Sequence, residues 1–447
     1  MGVIVVVGAQ FGDEAKGKIT DYLAADARIV VRTGGGPNAG HSIHLAEGSV
    51  VLHQVPVGVL RPGVLGVCGP GMVLDPRGLD EEIRTLQERR LFKGSLAISE
   101  RAHAILPIHI AEDAWEEERR TATRPSAAIG TTRRGIGPAY ADRYGRWGVR
   151  FGDLIRPARL ADRLELLYAT KPHLATSLSD RERVRTELGE IAARLAPFVQ
   201  ATEPLLWSAV ERGDTILLEG AQSALLDVDF GTYPYVTSHH PTSAGALVGS
   251  GLPPAEVTEV VGVTKAYATR VGAGPFPTQV EGDMGAYLQR EGGERGATTG
   301  RVRQVGWLDL VLLRYASRLN GFTSFALTKV DVLGGLDDVP VAVQYVTPTG
   351  ETLTDYPPAD ADELAHVTPV YEKLPAWPKF HANLERRIRE EGARALPTEL
   401  KRFIEFVGRE TRVPVEWVSY GPRREETVWL GKPHGTAPAG SVSAWAA

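Results

Sequence analysis

A glycine-rich loop near the start of the chain has the residue types that hold a phosphate group. Residues 8–20 fit the pattern G-x-x-x-x-G-K and directly follow the apolar run Val3–Val7. In a strand, loop and helix arrangement, the N–H groups at the start of the helix face the phosphate. Ile19 stands where the usual loop has a Mg²⁺-binding Ser or Thr, and Asp13 lies inside the loop. A carboxylate beside phosphate oxygens needs Mg²⁺ or a protonation role, so we do not expect a plain nucleotide hydrolase.

A second glycine-rich turn carries a histidine. Thr33–Ser42 reads TGGGPNAGHS and follows the predicted strand that ends at Val31 and Arg32. Glycine lets the backbone approach a ligand closely, and a histidine at a strand end can act on what is bound there. A single histidine is more often structural, but the combination with the Asp13 loop makes His41 a candidate catalytic residue.

A short segment late in the chain is typical of guanine recognition. Thr328–Asp331 reads TKVD and directly follows the apolar run Phe325–Leu327. One carboxylate can accept both the N1–H and the 2-amino hydrogens of guanine, while the lysine stem packs on the ring. A four-residue match is weak by itself. Together with the phosphate loop, it indicates GTP rather than ATP.

Three further segments carry groups suited to anionic or purine ligands. Ile129–Tyr140 and Ala297–Arg303 are rich in hydroxyls, glycines and arginines, which bind phosphates and carboxylates. Each could by itself be a basic surface loop. Gln222 follows the predicted strand Thr215–Leu218, and open α/β sheets bind ligands at the C-terminal ends of their strands. Its amide can recognise the N1 and O6 edge of a purine.

The composition limits the class of partner. The 447 residues are 43% hydrophobic and 23% charged, with a formal net charge of −5, so any anion site must be local. Cys68 is the only cysteine, which excludes an intramolecular disulfide and fits a reducing cytosol. The chain shows neither a basic leader nor a long apolar segment. We therefore expect a cytoplasmic protein that binds neither nucleic acid nor membranes.

Near-continuous apolar runs predict the strands of a parallel sheet covered on both faces. They are Val3–Val7, Arg28–Val31, Val64–Val67, Thr215–Leu218, Val257–Val263, Phe325–Leu327 and Val413–Val418. Leucines at helical spacing over residues 157–212 predict a helical insertion. Glu112–Arg120 is typical of a solvated, charge-rich helix face, and residues 431–447 of a loosely ordered C-terminal tail. We expect one large domain over residues 1–430.

In these motifs the chain resembles the adenylosuccinate synthetase family along almost its whole length. The matching segments are Gly12–Glu14, Lys16–Lys18, Asn38–His41, Ile129–Tyr140, Glu219–Leu226, Gly231–Thr237, Lys265–Pro277, Thr298–Arg303, Gly306–Asp309 and Thr328–Asp331. The resemblance implies a GTP-dependent ligase that joins IMP and L-aspartate to give adenylosuccinate, GDP and phosphate in AMP biosynthesis. It also implies an α/β fold with a large mixed, centrally parallel sheet flanked by helices.

The same resemblance implies a mechanism. Asp13 takes the N1 proton of IMP, so that O6 attacks the γ-phosphate of GTP. His41 acts as general acid and stabilises the phosphoryl group in transfer, and the amine of aspartate then displaces phosphate from the 6-phosphoryl-IMP intermediate. Asp13 and the carbonyl of Gly40 hold Mg²⁺. A loop whose own Asp serves both metal and purine needs no hydroxyl at Ile19.

The resemblance also assigns site residues to each ligand. The catalytic residues are Asp13, Lys16, His41 and Gln222. The residues that bind IMP are Asn38, Thr132, Gln222, Thr237, Arg301 and Arg146, the last contributed by the second subunit of a homodimer. The residues that bind aspartate are Arg134, Thr298, Thr299, Arg301 and Arg303. The residues that bind GTP are Gly12, Asp13, Glu14, Lys16, Gly17, Lys18, Gly40, His41, Ser42, Arg303, Lys329, Asp331, Ser419 and Gly421.

Departures from the family pattern cluster around the monophosphate site. Ala15 stands where the family has Gly, Gly34 where it has Gln, and Arg133 where it has Gly, while Pro37 stiffens the same turn. Two alternatives therefore stay open. One is a related ligase with another purine acceptor, such as dGMP or a nucleoside-antibiotic precursor, and the other is a GTP-binding protein without ligase activity. The presence of Asp13 favours IMP, because phage relatives that use guanylate lack this acid.

Overall fold

A computed structural model of the chain describes residues 2–45, 47–125, 128–174, 177–296 and 300–431. The strands are β1 Val3–Gly8, β2 Ile29–Arg32, β3 His41–Leu45, β4 Gly48–Leu52, β5 Leu65–Cys68, β6 Val73–Leu74, β7 Ser95–Ser99, β8 His103–Ala104, β9 Val199–Gln200, β10 Ile216–Ser223, β11 Val257–Lys265, β12 Tyr267–Arg270, β13 Gln304–Asp309, β14 Ser324–Thr328, β15 Asp338–Val346, β16 Thr352–Leu353, β17 Thr368–Pro375, β18 Val415–Ser419 and β19 Thr427–Trp429. The α-helices are α1 Lys16–Leu23, α2 Pro76–Glu88, α3 Pro107–Thr123, α4 Ile136–Gly145, α5 Phe151–Leu154, α6 Pro157–Ala169, α7 Leu178–Leu195, α8 Glu203–Glu211, α9 Ser243–Ser250, α10 Gly282–Glu291, α11 Leu310–Asn320, α12 Ala361–Ala365, α13 Ala382–Glu391 and α14 Thr398–Thr411.

Ten of these strands form one sheet in the order β19-β18-β14-β11-β1-β10-β2-β5-β7-β9. Every neighbouring pair is parallel except β18 and β19, so the sheet is mixed with a parallel centre. The seven apolar runs all became strands of this sheet, which confirms the predicted fold class. The sequence did not predict β7, β9 and β19, which add to the sheet near its two edges.

Two hydrophobic clusters lie on opposite faces of this sheet. In β1, the side chains of Val3, Val5 and Val7 belong to one cluster and that of Val6 to the other. Residues of α8, α9, α11 and α14 pack in the first cluster, and residues of α1, α2, α6 and α7 in the second. Because both faces are covered by helices, a central strand is apolar at every position rather than at alternate ones.

A second sheet, of five strands, positions a loop beside the first. Its order is β12-β13-β15-β16, with β17 paired to β15. β12 and β13 are antiparallel neighbours, and the chain between them, residues 271–303, contains α10 and then Arg301 and Arg303. The antiparallel pairing brings the end of this long connection back to the place where it started.

Residues 157–212 hold the helices α6, α7 and α8, with the short strand β9 between α7 and α8. β9 pairs with β7, so this segment also supplies the last strand of the main sheet. Of the predicted C-terminal tail, residues 432–447 lie outside the described part of the chain. None of the helices in the described ranges is long and apolar enough to cross a membrane.

Candidate active site

The parallel strands bring the chemical motifs to one edge of the sheet. The phosphate loop follows β1, the turn with His41 follows β2, Gln222 lies at the end of β10, and Thr328–Asp331 lies at the end of β14. Neighbouring parallel strands all end at the same edge, so these distant segments meet there. They line a cavity of about 860 Å³.

The backbone of the phosphate loop has the shape of an anion cradle. Gly12, Asp13 and Ala15 have φ angles of 100°, 60° and 68°, and α1 begins directly after Ala15. Residues of alternating handedness form a concave nest of N–H groups, which binds anions. The left-handed conformation costs a residue with a Cβ about 1–2 kcal/mol. Ala15 thus keeps a conformation that a glycine would adopt at a lower cost.

The carboxylate of Glu14 binds other groups of the phosphate loop and the hydroxyl of Ser223. It is fully buried and accepts the N–H of Gly12 at 2.8 Å, the hydroxyl of Ser223 at 2.6 Å and the ammonium of Lys16 at 2.5 Å. Its side chain does not line the cavity. The structure therefore gives Glu14, a predicted GTP contact, an internal role in which its carboxylate organises the groups that face the ligand.

His41 is oriented by a buried carboxylate. Its Nδ1 lies 2.5 Å from Oε1 of Glu219, whose Oε2 accepts the N–H of Val57 at 3.0 Å. A carboxylate only accepts, so Nδ1 carries a proton and Nε2 is left for a ligand. Burial lowers the pKa of His41, the buried guanidinium of Arg32 lowers it further, and the bond to Glu219 opposes both.

Arg303 lies between two carboxylates. Its Nε is 2.7 Å from Oδ2 of Asp13, and its Nη1 is 2.6 Å from Oε2 of Glu294. Glu294 also accepts from Nζ of Lys265 at 2.9 Å. Burial alone would raise the pKa of Glu294, but Lys265, Arg303 and Lys329 lower it to about 2. The predicted base is thus in direct contact with a predicted anion-binding arginine.

Asp331, which is predicted to bind guanine, has a buried acceptor atom. Oδ1 of Asp331 is buried and has no hydrogen-bond partner among the described residues. Burial raises the pKa of Asp331, and the charge of Lys329 opposes that rise. Lys18 donates to Oγ of Ser419 and to the carbonyl of Gly421, both at 2.6 Å, and burial lowers its pKa to about 7. A buried acceptor without a donor is ready for the N–H groups of a base.

A second buried acceptor atom belongs to Gln222, at the end of β10. Oε1 of Gln222 is buried and, within the described ranges, without a partner. A Cβ on Gly34 would lie 2.8 Å from Cδ2 of His239, so this imidazole fills the space beside the turn. His239 stacks on Tyr140 with ring centroids 5.6 Å apart, and its Nδ1 is 3.2 Å from the hydroxyl of Thr237.

Most of the predicted site residues meet in this one cavity. Those that line it are Gly12, Asp13, Lys16, Gly17, Lys18, Asn38, Gly40, His41, Ser42, Thr132, Gln222, Thr237, Arg301, Arg303, Lys329, Asp331, Ser419 and Gly421. Three others do not: Glu14 is internal, Arg134 donates to the carbonyl of Pro37 at 3.2 Å, and Arg146 is exposed at the end of α4. Thr298 and Thr299 lie outside the described residues.

The burial of the acidic residues on helix α3 differs from the prediction made from the sequence. The sequence predicts a solvated face over Glu112–Arg120, but Glu112, Asp113 and Glu117 are only 9%, 5% and 6% exposed. Four residues of this helix line the cavity, namely Asp113, Glu116, Glu117 and Arg120. Asp113 and Glu117 accept N–H groups of the loop that follows α3, and Glu112 binds the ammonium of Lys171. The one signal was the i, i+4 spacing of Asp113 and Glu117, which places both on one face.

The extra arginine in that loop points away from the cavity. The guanidinium of Arg133 is 3.7 Å from Oε1 of Glu118, both side chains are more than half exposed, and Arg133 does not line the cavity. Because an exposed ion pair contributes little, we predict that Arg133→Gly leaves KM for the monophosphate within about twofold of the parent value. Initial rates with varied IMP check this. A rise of about tenfold would mean that Arg133 contacts substrate.

The cavity thus combines two acceptor atoms, unpaired among the described residues, with the phosphate loop. Gln222 and Asp331 each offer an unpaired acceptor, and the phosphate loop carries the carboxylate of Asp13. Nε2 of His41 is left for a ligand, and in the protonated ring it can donate to a phosphoryl group in transfer.

A family model described as adenylosuccinate synthetase matches residues 5–428. The chain belongs to the adenylosuccinate synthetase family. The adenylosuccinate synthetase of Moorella thermoacetica is 44% identical over 441 residues, which cover 97% of this chain and 100% of that protein. The adenylosuccinate synthetase of Chlorobium chlorochromatii is 45% identical over 431 residues, which cover 95% and 96%.

Solved structures agree with this membership. A fully ligated adenylosuccinate synthetase from Plasmodium falciparum is 34% identical with a TM-score of 0.88, covering 96% of this chain and all of that one. The succinoaminodeoxyadenylate synthetase of cyanophage S-2L, bound to dGMP and dATP, is 20% identical with a TM-score of 0.61 over 96% and 95% of the two chains. At that identity it shares the fold alone. As a member of the adenylosuccinate synthetase family, the chain is a GTP-dependent ligase of purine nucleotide biosynthesis that joins IMP and L-aspartate.

Proposed function

We propose that the chain makes adenylosuccinate through a 6-phosphoryl-IMP intermediate with Asp13 as the base. The observation that supports this is the position of Asp13, which lies inside the phosphate loop and lines the same cavity as Gln222 and Asp331. Asp13 removes the N1 proton of IMP, and the negative charge moves to O6. O6 then forms a bond to the γ-phosphorus of GTP while the bond to the GDP oxygen breaks.

In this proposal, His41 and Lys16 stabilise the phosphoryl group during transfer. Both line the cavity, and their other contacts, to Glu219 and Glu14, fix where they point. Lys16 donates as an ammonium, and His41 donates from Nε2 when its ring is protonated, a form that the bond to Glu219 favours. Fixed donors aimed at developing charge require no reorganisation during the reaction. Gln222 holds the purine edge, and Asn38, Thr132, Thr237 and Arg301 bind the rest of IMP.

The second step is the attack of aspartate on C6. The amine forms the new C–N bond and phosphate leaves, so the proton on the amine must pass to the leaving group or to water. Arginine forks suit the two carboxylates of aspartate, and we assign that role to Arg301 and Arg303, with Arg134, Thr298 and Thr299. Arg303 is already in contact with Asp13, so it can reach both the base and an anion beside it.

Mg²⁺ fits the oxygen donors of this cavity. The carboxylate of Asp13 and the backbone carbonyl of Gly40 are hard ligands of the kind that Mg²⁺ prefers, and both residues line the cavity. When bound, Mg²⁺ neutralises charge on the GTP phosphates. Ile19 is fully buried in the hydrophobic cluster on the α1 face of the sheet, so this position packs the core and supplies no ligand.

The identity of the acceptor is tested directly by product analysis. The purified chain is incubated with Mg²⁺, L-aspartate and GTP, and IMP, GMP or dGMP is supplied in turn. We expect a succinyl adduct by mass spectrometry from IMP alone. Product from a guanylate alone would replace IMP as the acceptor, and no product from any of them would indicate a GTP-binding protein without ligase activity.

We also propose a homodimer in which Arg146 enters the partner's active site. Arg146 is exposed at the C-terminal end of α4 with a φ of 68°, and it does not line the cavity of its own chain. Its neighbours Tyr144 and Trp147 are 67% and 40% exposed, an aromatic surface of the kind that is enriched at interfaces.

Mixing two inactive variants tests the shared site. Arg146→Ala and Asp13→Ala chains are each expected to be inactive, but a mixed dimer contains one complete site. After subunit exchange of equal amounts, we expect activity to return to about a quarter of the parent value. Mixed dimers that form and stay inactive would contradict the contribution of Arg146 from the partner.

We also propose that the enzyme is located in the cytoplasm. A cytoplasmic enzyme is supported by the single cysteine, Cys68, which is fully buried and therefore protected from oxidation. We also propose that residues 1–430 act as one domain, because the catalytic segments come from β1 near the start and β18 near the end of one sheet.

A further inference from the structure

Two acids of α3 hold the loop that follows this helix. Oδ2 of Asp113 accepts the N–H of Gly135 at 2.8 Å, and Oε1 of Glu117 accepts the N–H of Gly130 at 2.7 Å. The two carboxylates are four residues apart and lie on one face of the helix, and both line the active-site cavity. The loop is therefore attached to α3 at Gly130 and at Gly135.

The two glycines fit this attachment. Gly130 and Gly135 have φ angles of 76° and 75°, a conformation that side chains rarely adopt. A Cβ on Gly135 would lie 2.9 Å from the carbonyl carbon of His109, so the loop backbone packs directly on the helix backbone. The residues between the two anchored glycines are Thr131, Thr132, Arg133 and Arg134. The anchors thus determine where Thr132 is presented to the cavity.

A second group holds the same loop from the other side. Nη1 of Arg301 donates to the carbonyl of Gly130 at 2.9 Å, and its Nη2 donates to the carbonyl of Thr131 at 3.3 Å. Gly130 is therefore held through its N–H by Glu117 and through its carbonyl by Arg301. The loop connects the acids of α3 to an arginine that we assign to substrate binding.

Helix α3 is itself rigidly placed. Nε2 of His109 lies 3.0 Å from Oδ2 of Asp142 on α4, and Lys171 binds both Glu112 of α3 and Asp142. All four side chains are buried. Because α3 and α4 are tied by this network, a loop anchored to α3 is fixed relative to the helix that follows it.

We propose that Asp113 and Glu117 are positioning residues for the monophosphate of the acceptor nucleotide. They act through the N–H groups of Gly135 and Gly130, which Oδ2 of Asp113 and Oε1 of Glu117 accept, while Oε2 of Glu117 is buried and has no partner among the described residues. A carboxylate forms a stronger hydrogen bond with an N–H donor than a neutral acceptor does. This inference rests on the proposed role of Thr132 in binding IMP.

The test compares the effect of each substitution on KM for IMP with its effect on KM for GTP. We expect Glu117→Ala to raise KM for IMP about tenfold, while KM for GTP stays within about twofold. Glu117→Gln keeps an acceptor oxygen and should restore most of the affinity for IMP. Glu118→Gln is the matched control, since this neighbour on α3 is exposed and its carboxylate lies 3.7 Å from the exposed guanidinium of Arg133. Thermal unfolding of each variant reports whether the fold is intact.

If Glu117→Ala does not fold, Glu117→Asp replaces it. This variant keeps the charge but shortens the side chain by one methylene, so the bond to Gly130 is lost and the same selective rise in KM for IMP is expected. Equal rises in KM for both nucleotides, or no rise in KM for IMP, would overturn the inference.

Thr132→Ala separates this inference from the proposed function. If Thr132→Ala leaves KM for IMP unchanged, the assignment of the monophosphate site is wrong. If it raises KM but Glu117→Ala does not, the site stands and the positioning role is wrong. If both act through one loop, the double variant should show less than the product of the two single effects.

Discussion

Replacing Asp13 by alanine is expected to abolish turnover and to leave GTP binding measurable. The side chain lies in the phosphate loop and contacts Arg303 at 2.7 Å, while the cradle is formed by backbone groups that the substitution keeps. Loss of a base that must take the N1 proton lowers kcat by about 1,000-fold or more. GTP should still bind through the loop and the group around Asp331.

Turnover is measured by mass detection of the succinyl adduct, and GTP binding by calorimetry without acceptor. Asp13→Asn is the matched control, because it keeps the size and one acceptor oxygen but cannot take a proton. It should be as inactive as the alanine variant. Near-normal turnover in either variant would remove Asp13 from the mechanism.

The second large effect is expected at Asp331. Its Oδ1 is buried without a partner in the part of the chain that the structure describes, and we assign it to the N1–H and 2-amino groups of guanine. Loss of two hydrogen bonds to a charged acceptor should lower kcat/KM for GTP by about 100-fold or more. ITP lacks the 2-amino group, so the ratio of kcat/KM for GTP to that for ITP should fall towards one in Asp331→Ala.

Initial rates with GTP and ITP at fixed IMP and aspartate give this ratio. Asp337→Ala is the control, since this exposed acid lies six residues further on and does not line the cavity. A variant of Asp331 that still prefers GTP as strongly as the parent would show that guanine is recognised elsewhere.

The main sheet was predictable because its strands are buried on both faces. Val3–Val7 and Val257–Val263 are nearly continuous apolar runs, and both became central parallel strands. β7 and β9, near one edge, were missed, and β9 has only two residues. The five-stranded second sheet was also missed. Its central strand β15 is half-covered and mixes apolar with polar positions, a weaker pattern than a continuous run.

The acids of α3 were misjudged for a related reason. A charged helix segment such as Glu112–Arg120 is normally solvated. The sequence of the segment does not show which distant groups donate hydrogen bonds to its acids. The partner is a glycine loop whose N–H groups satisfy Asp113 and Glu117. The contacts of Lys18 were also not predictable locally, because its ammonium donates to Ser419 and Gly421 near the other end of the chain.

The sequence by itself determined the fold class, the family and most of the groups that meet in the cavity. Local patterns carried that information: strand ends followed by glycine loops, an Asp within a phosphate loop and a TKVD segment. Only the tertiary structure decided which side chains line the cavity and which lie behind it. Glu14 turned inward, Arg133 turned outward, and His239 filled the space beside Gly34. The reason is that the direction of a polar side chain depends on donors and acceptors distant in sequence, which come together only when the sheet has formed.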